Sequence, residues 1–115
     1  MNIGRVYPKR IGPTLLTTSA VLQFTADKRY GVERWTFTNY SINDLVDVTL
    51  YIVPSGASVA DGYKIIGGLI VAANDITTIP LPIALDIGDK VYALTSTESS
   101  VNFTFNVNDV EMGIQ

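Results

Sequence analysis

With 115 residues, 47% of them hydrophobic, the chain is long enough for one domain with its own apolar core and too apolar to be disordered. It has no cysteine, which excludes disulfide staples and thiolate chemistry. It has no histidine, which removes the commonest general base and the commonest transition-metal ligand. The net charge of −3 is unevenly spread: residues 1–13 carry Arg5, Lys9 and Arg10 and no acid, whereas beyond Trp35 only Lys64 and Lys90 stand against nine acids.

Residues 1–13 differ from the rest of the chain. Gly4, Pro8, Gly12 and Pro13 oppose regular helix, and no sustained alternation is present. The segment is expected to be an extended N-terminal arm outside the body of the fold. Ile3, Val6, Tyr7 and Ile11 are apolar enough to need a partner surface, and Arg5, Lys9 and Arg10 suit an acidic one. No apolar stretch succeeds these basic residues as it would in a secretory signal. The longest apolar run, Leu69-Ile70-Val71-Ala72-Ala73, is far too short to span a bilayer, so no membrane association is expected.

From residue 14 onward the pattern has period two, the signature of half-buried strands. After candidates at 14–18 and 20–26, Trp35 and Phe37 share one face of 33–38 with threonines on the other. Val46, Val48, Leu50 and Ile52 share a face opposite Asp47, Thr49 and Tyr51. Residues 58–64 suit a helical turn, with Ser58 as cap and Asp61 at the third position. Further strands are expected at 65–72, 76–85 and 90–95. Pro80 and Pro82 cannot both donate to a ladder, so 76–85 should be an edge or bent strand. The last strand is the cleanest: Val101, Phe103, Phe105 and Val107 face one way, Asn102, Thr104, Asn106 and Asn108 the other. Turn chemistry separates these runs, as at Asn39 to Asp44, Pro54-Ser55-Gly56 and Asp86 to Asp89. The expected fold is all-β: an antiparallel β-sandwich of about eight strands, jelly-roll-like, over residues 14–115.

No constellation for catalysis is visible. Without histidine, only Lys64 or Lys90 is left to activate a serine or threonine, and each would have to be buried. No cofactor is implied, and the chain is expected not to be an enzyme. Asp86 and Asp89 bracket a tight turn that their carboxylates suit, and the alternative is a calcium site shared with Asp44 or Asp109. No metal is expected, because the acids lack calcium-loop spacing. Tyr40, Tyr51 and Tyr63 are the candidate surface aromatics, for assembly or for stacking on a host glycan. Asn39-Tyr40-Ser41 and Asn102-Phe103-Thr104 match the glycosylation sequon, and both are expected to be accidental. The acidic body argues against nucleic acid, which needs clustered cations.

Three stretches carry a family likeness: Val48-Thr49-Leu50-Tyr51-Ile52-Val53-Pro54-Ser55-Gly56-Ala57, Leu85-Asp86-Ile87-Gly88-Asp89-Lys90-Val91-Tyr92-Ala93, and the closing strand from Val101 to Val107. With them, the region from Thr17 to Val110 resembles small β-sandwich virion structural proteins of tailed bacteriophages. Two turns depart from that pattern: Ala72-Ala73-Asn74-Asp75 replaces an Ala-Gly-Glu turn, and Leu22 to Lys28 lacks the usual Pro-Ala-Gly. The resemblance implies a non-enzymatic protein located in the virion, a capsid decoration or fibre-anchoring component. Its partners would be copies of itself, with a trimer favoured, and other virion proteins. The alternatives are a tail or neck component and a glycan- or receptor-binding module.

Overall fold

The structure, a computed structural model, describes residues 5–98 and 100–111, without the side chains of residues 5–7, 110 and 111. Ten strands make up the described chain: β1 (Arg5–Leu15), β2 (Val21–Thr25), β3 (Tyr30–Val32), β4 (Trp35–Asn39), β5 (Val46–Val53), β6 (Lys64–Val71), β7 (Asp75–Ile79), β8 (Ile83–Leu85), β9 (Lys90–Thr95) and β10 (Val101–Glu111). One sheet runs β1-β10-β4-β7, with the short β3 and β8 continuing beside the far part of β10. The other runs β2-β9-β5-β6. Every pairing is antiparallel, and the chain changes sheet between β1 and β2, β2 and β3, β4 and β5, β6 and β7, β8 and β9, and β9 and β10. Two four-stranded sheets in this order form a jelly roll.

The alternation sets the core. Trp35, Phe37, Val46, Val48, Leu50, Val101, Phe103, Phe105 and Val107 are buried in one cluster between the sheets, and Ile52 packs against it. An aromatic row runs through the middle: Phe37 stacks on Phe103 with ring centroids 4.8 Å apart, and Phe105 lies 4.9 Å from Trp35. Such contacts add to the burial of large apolar area.

Eight strands build the jelly roll, the number expected, but the first is β1 at Arg5–Leu15 rather than a strand at 14–18; β3 and β8 are additional. The proline-containing segment 76–85 is bent to the point of division. Its first part, β7, is the edge beside β4, and its second part, β8, is the edge beside β3. The Trp35 indole N–H donates to the Leu81 carbonyl at 3.0 Å and ties the intervening Pro80–Pro82 stretch to the core. The turn at 58–64 is a 3-10 turn at Asp61–Tyr63, preceded by Ala60 without a side-chain cap, so Ser58 does not cap it.

The N-terminal segment is extended, but it is not separate from the sheet. From Arg5 to Leu15 it pairs along β10, with a bulge between Ile11 and Thr14, so a boundary after residue 13 falls inside β1. Pro8 and Pro13 are tolerated because β1 is an edge strand with a partner on one side only. At the bulge, Gly12 has φ +90°, and a Cβ there would lie 2.5 Å from the Phe103 carbonyl oxygen.

Candidate functional site

Four connections meet at one end of the sandwich: residues 16–20, 40–45, 72–74 and 96–100. Backbone hydrogen bonds join them, from Leu16 to Val101, Tyr40 to Ser100, Asn74 to Ser41, Thr95 to Thr17 and Ser96 to Asp47. Asn39, only 1% exposed at the end of β4, is the hub. Its amide nitrogen lies 2.9 Å from the Asp44 carbonyl, 3.2 Å from that of Val71 and 3.1 Å from that of Ala72. Its amide oxygen accepts from Ser41 N–H at 3.0 Å. One buried side chain thus serves the backbone of two loops, as a polar group in a dry site must. The same burial closes the Asn39-Tyr40-Ser41 sequon to modification.

The surface of this end is apolar. Ile42 is 82% exposed, and Leu45, Ile70, Ile76 and Tyr40 around it are exposed as well. Register places them together: Ile70 pairs with Asp47 at the start of β5, and Ile76 pairs with Thr38 beside Asn39. The charges here are Asp44, Asp47, Asp75 and Glu98, with no lysine or arginine in residues 14–21, 38–48, 69–77 or 93–102. Glu98 accepts from Thr18 N–H and Thr18 Oγ1, both at 2.7 Å, and these bonds hold its carboxyl below the usual range. Exposed apolar side chains thus cluster here inside a rim of acidic charge.

The opposite end is different. All eight cations of the sequence fall in the half that holds the N-terminal part of β1, the β2–β3 and β3–β4 turns and the first residues of β6 and β9. Ion pairs run there from Lys28 to Asp109 at 2.8 Å, Arg29 to Asp86 at 3.5 Å and Lys64 to Asp61 at 3.3 Å. The Tyr30 hydroxyl donates to Asp27 at 2.6 Å, which lowers the Asp27 pKa and raises that of Tyr30. Lys9, Arg10 and Arg34 have no carboxylate partner within ion-pair distance among the described residues.

The residues singled out in the sequence divide between the ends. Ile3 lies outside the described residues. Arg5, Val6 and Tyr7 sit by backbone register opposite Glu111, Val110 and Asp109. Lys9 is exposed with its ammonium 5.9 Å from the Phe24 ring centroid, and Arg10 is exposed opposite Asn106. Ile11 is half-buried against the core of its own chain, so it needs no external partner. Of the tyrosines, Tyr40 is exposed and Tyr63 half-buried, but Tyr51 is only 7% exposed. Tyr51 stands on a central strand between Tyr92 and Lys64 and is buried there, so it is not a surface aromatic.

Asp89 accepts from Asp86 N–H at 2.8 Å, the turn role that the sequence suggests. Asp109 is engaged with Lys28, and Asp44 sits at the other end of the sandwich, so the structure does not gather the four acids. A shallow notch of about 170 Å³ opens where β3 and β4 part along β10, lined by Glu33, Arg34, Asn106 and Asn108. Tyr40, the exposed tyrosine of the three, is at the far end from it, so the notch has no stacking platform from that residue. Lys64 is exposed, so it lacks the burial that a catalytic role would require of it. Among the described residues, no helix is long and apolar enough to cross a membrane.

The apolar end itself was not evident from the sequence, although Ile42 inside the polar turn Ser41-Ile42-Asn43-Asp44 is a signal that could have found it.

No family model matches the chain, and no curated protein matches it significantly in sequence. It is similar in structure to a chain of the infectious bursal disease virus T13 particle, with a TM-score of 0.53 and 14% identity. That similarity covers 92% of this chain and 31% of the viral one. A chain from the Gx strain of the same virus aligns with a TM-score of 0.44 and 11% identity, over 91% of this chain and 29% of the other. This chain therefore spans about a third of the length of the viral chains, and what it shares with the first is the β-sandwich fold.

Proposed function

We propose that the chain is a non-enzymatic virion structural protein, a capsid decoration or fibre-anchoring component of a tailed bacteriophage. It acts by assembling with its own copies, as a trimer, and by docking on other virion proteins. The observation that carries this reading is the apolar end: Tyr40, Ile42, Leu45, Ile70 and Ile76 are exposed on a sandwich whose core is otherwise closed. Isolated domains leave few such clusters uncovered. The shared fold with a chain of a viral particle supports the same direction, because jelly rolls are a common way to build capsids. Within the virion, a tail or neck position is the alternative placement.

The cation-bearing β1 segment supplies the docking arm, with Lys9 and Arg10 exposed on it. Charge of one sign on such a segment sets orientation and partner choice more than affinity. A second reading, a glycan-binding module, rests on the polar notch between Glu33, Arg34, Asn106 and Asn108. Light scattering at micromolar concentration separates the two. A trimer that ignores a panel of glycans is the expected result; a monomer that binds one of them would overturn the structural reading.

A further inference from the structure

We infer that the apolar, cation-free end of one copy receives the cation-bearing β1 flank of a second copy, in a heterologous contact. This rests on the proposed self-assembly and names the two surfaces that would make it.

Charge identifies the occupant. The end carries Asp44, Asp47, Asp75 and Glu98 around Ile42 and Leu45, with no cation of its own. Packing two such ends together would set like charges face to face across an apolar contact, where water cannot screen them well. A partner surface must therefore bring cations. The chain itself has one: Lys9 and Arg10 project from β1, and no carboxylate pairs with them among the described residues. The cations at 28, 29 and 64 already face acids of their own chain; of those without an ion pair among the described residues, Arg34 and Lys90 stand singly, whereas Lys9 and Arg10 are adjacent on one exposed edge strand. Asp44 and Asp47 are equally available, since their carboxylates make no hydrogen bond among the described residues, whereas Glu98 is held by Thr18 and Asp75 by the Ile76 N–H.

The two surfaces are on opposite halves of one molecule. A contact between them is heterologous, and it closes into a ring when the rotation between copies permits. The apolar side chains supply area, and the charge pairs select register.

Charge reversal in both surfaces tests this on the full chain. Lys9→Glu with Arg10→Glu, and separately Asp44→Lys with Asp47→Lys, should each weaken assembly by about 100-fold or more, because opposed charges at a rim turn attraction into repulsion. Circular dichroism should show both variants folded, since the four side chains are exposed. The quadruple variant should reassemble to within about tenfold of the original, read by sedimentation or light scattering. Ile42→Asp should dissociate the assembly with all charges otherwise native. If reversing the β1 cations dissociates the protein while reversing Asp44 and Asp47 changes nothing, the flank docks elsewhere and the inference fails. It fails also if the quadruple variant stays dissociated, or if Asp44→Lys with Asp47→Lys strengthens assembly, which would mean that the ends meet each other. A native chain that is monomeric overturns the self-assembly reading itself, a result distinct from all of these.

Discussion

The two ends of the sandwich use the same strands and are held together by different physics. At the end around Asn39, a single buried amide gathers the backbone of the neighbouring loops, and the outer surface is apolar and acidic. At the other end the turns are sewn by exposed ion pairs and by carboxylates that satisfy their own turns, as Asp89 does. Exposed pairs contribute little, whereas a buried hydrogen-bond hub is costly to disturb. The end that is firmly organised inside is thus also the one with an apolar exterior.

Substitutions test this contrast directly. Phe105→Ala should cost most, about 3–5 kcal/mol in denaturant unfolding, because it empties the aromatic row both ends share. Asn39→Ala should cost on the order of 3 kcal/mol, because it strips partners from three carbonyls and one N–H, at least one of them buried. A value near zero would show that water serves those groups and that the hub is dispensable.

Gly12→Ala should cost about 2 kcal/mol, since it forces a side chain into positive φ against the Phe103 carbonyl. Deleting residues 1–13 is a poorer probe, because it removes most of β1 from the sheet along with the arm. A silent Gly12→Ala would mean that β1 is only loosely attached.

Acid should act on both ends. Hydrogen bonds lower the pKa of Glu98 through Thr18 and of Asp27 through Tyr30. A carboxyl lowered in the folded state stabilises the fold above its unfolded pKa, and that contribution is lost as pH falls through the folded value. The urea midpoint should therefore drop from pH 5 toward pH 2, and Glu98→Gln should flatten part of that slope. Lys28→Ala should have the smallest effect, with the midpoint at pH 7 almost unmoved; the raised Lys28 pKa means that any contribution fades only as pH climbs past the ordinary lysine value.

The strands most legible in the sequence were β4, β5 and β10, because each has one face on the core and one on a polar surface, which writes burial as alternation. Less legible elements had other controls. β3 is only Tyr30–Val32, too short for a period to show. β1 was disguised by Gly12 and two prolines, which an edge strand accommodates and a central one does not. Tyr51 looked like a surface residue because it alternates with the core positions, yet it is buried on a central strand between Tyr92 and Lys64. Of the candidate site, the charge asymmetry and the basic β1 segment were readable, while the apolar end was not.

By itself the sequence determined the class of fold, the aromatic core and the lack of histidine and cysteine, because composition and local period are properties of neighbouring residues. The tertiary structure alone decided that β1 joins β10, that 76–85 divides into two short strands along the sheet edge opposite β1, and that Ile42, Leu45, Ile70 and Ile76 share a surface. Those outcomes depend on where the chain crosses between sheets. A jelly roll brings together loops that are tens of residues apart, and nothing in a local pattern records which end each will reach.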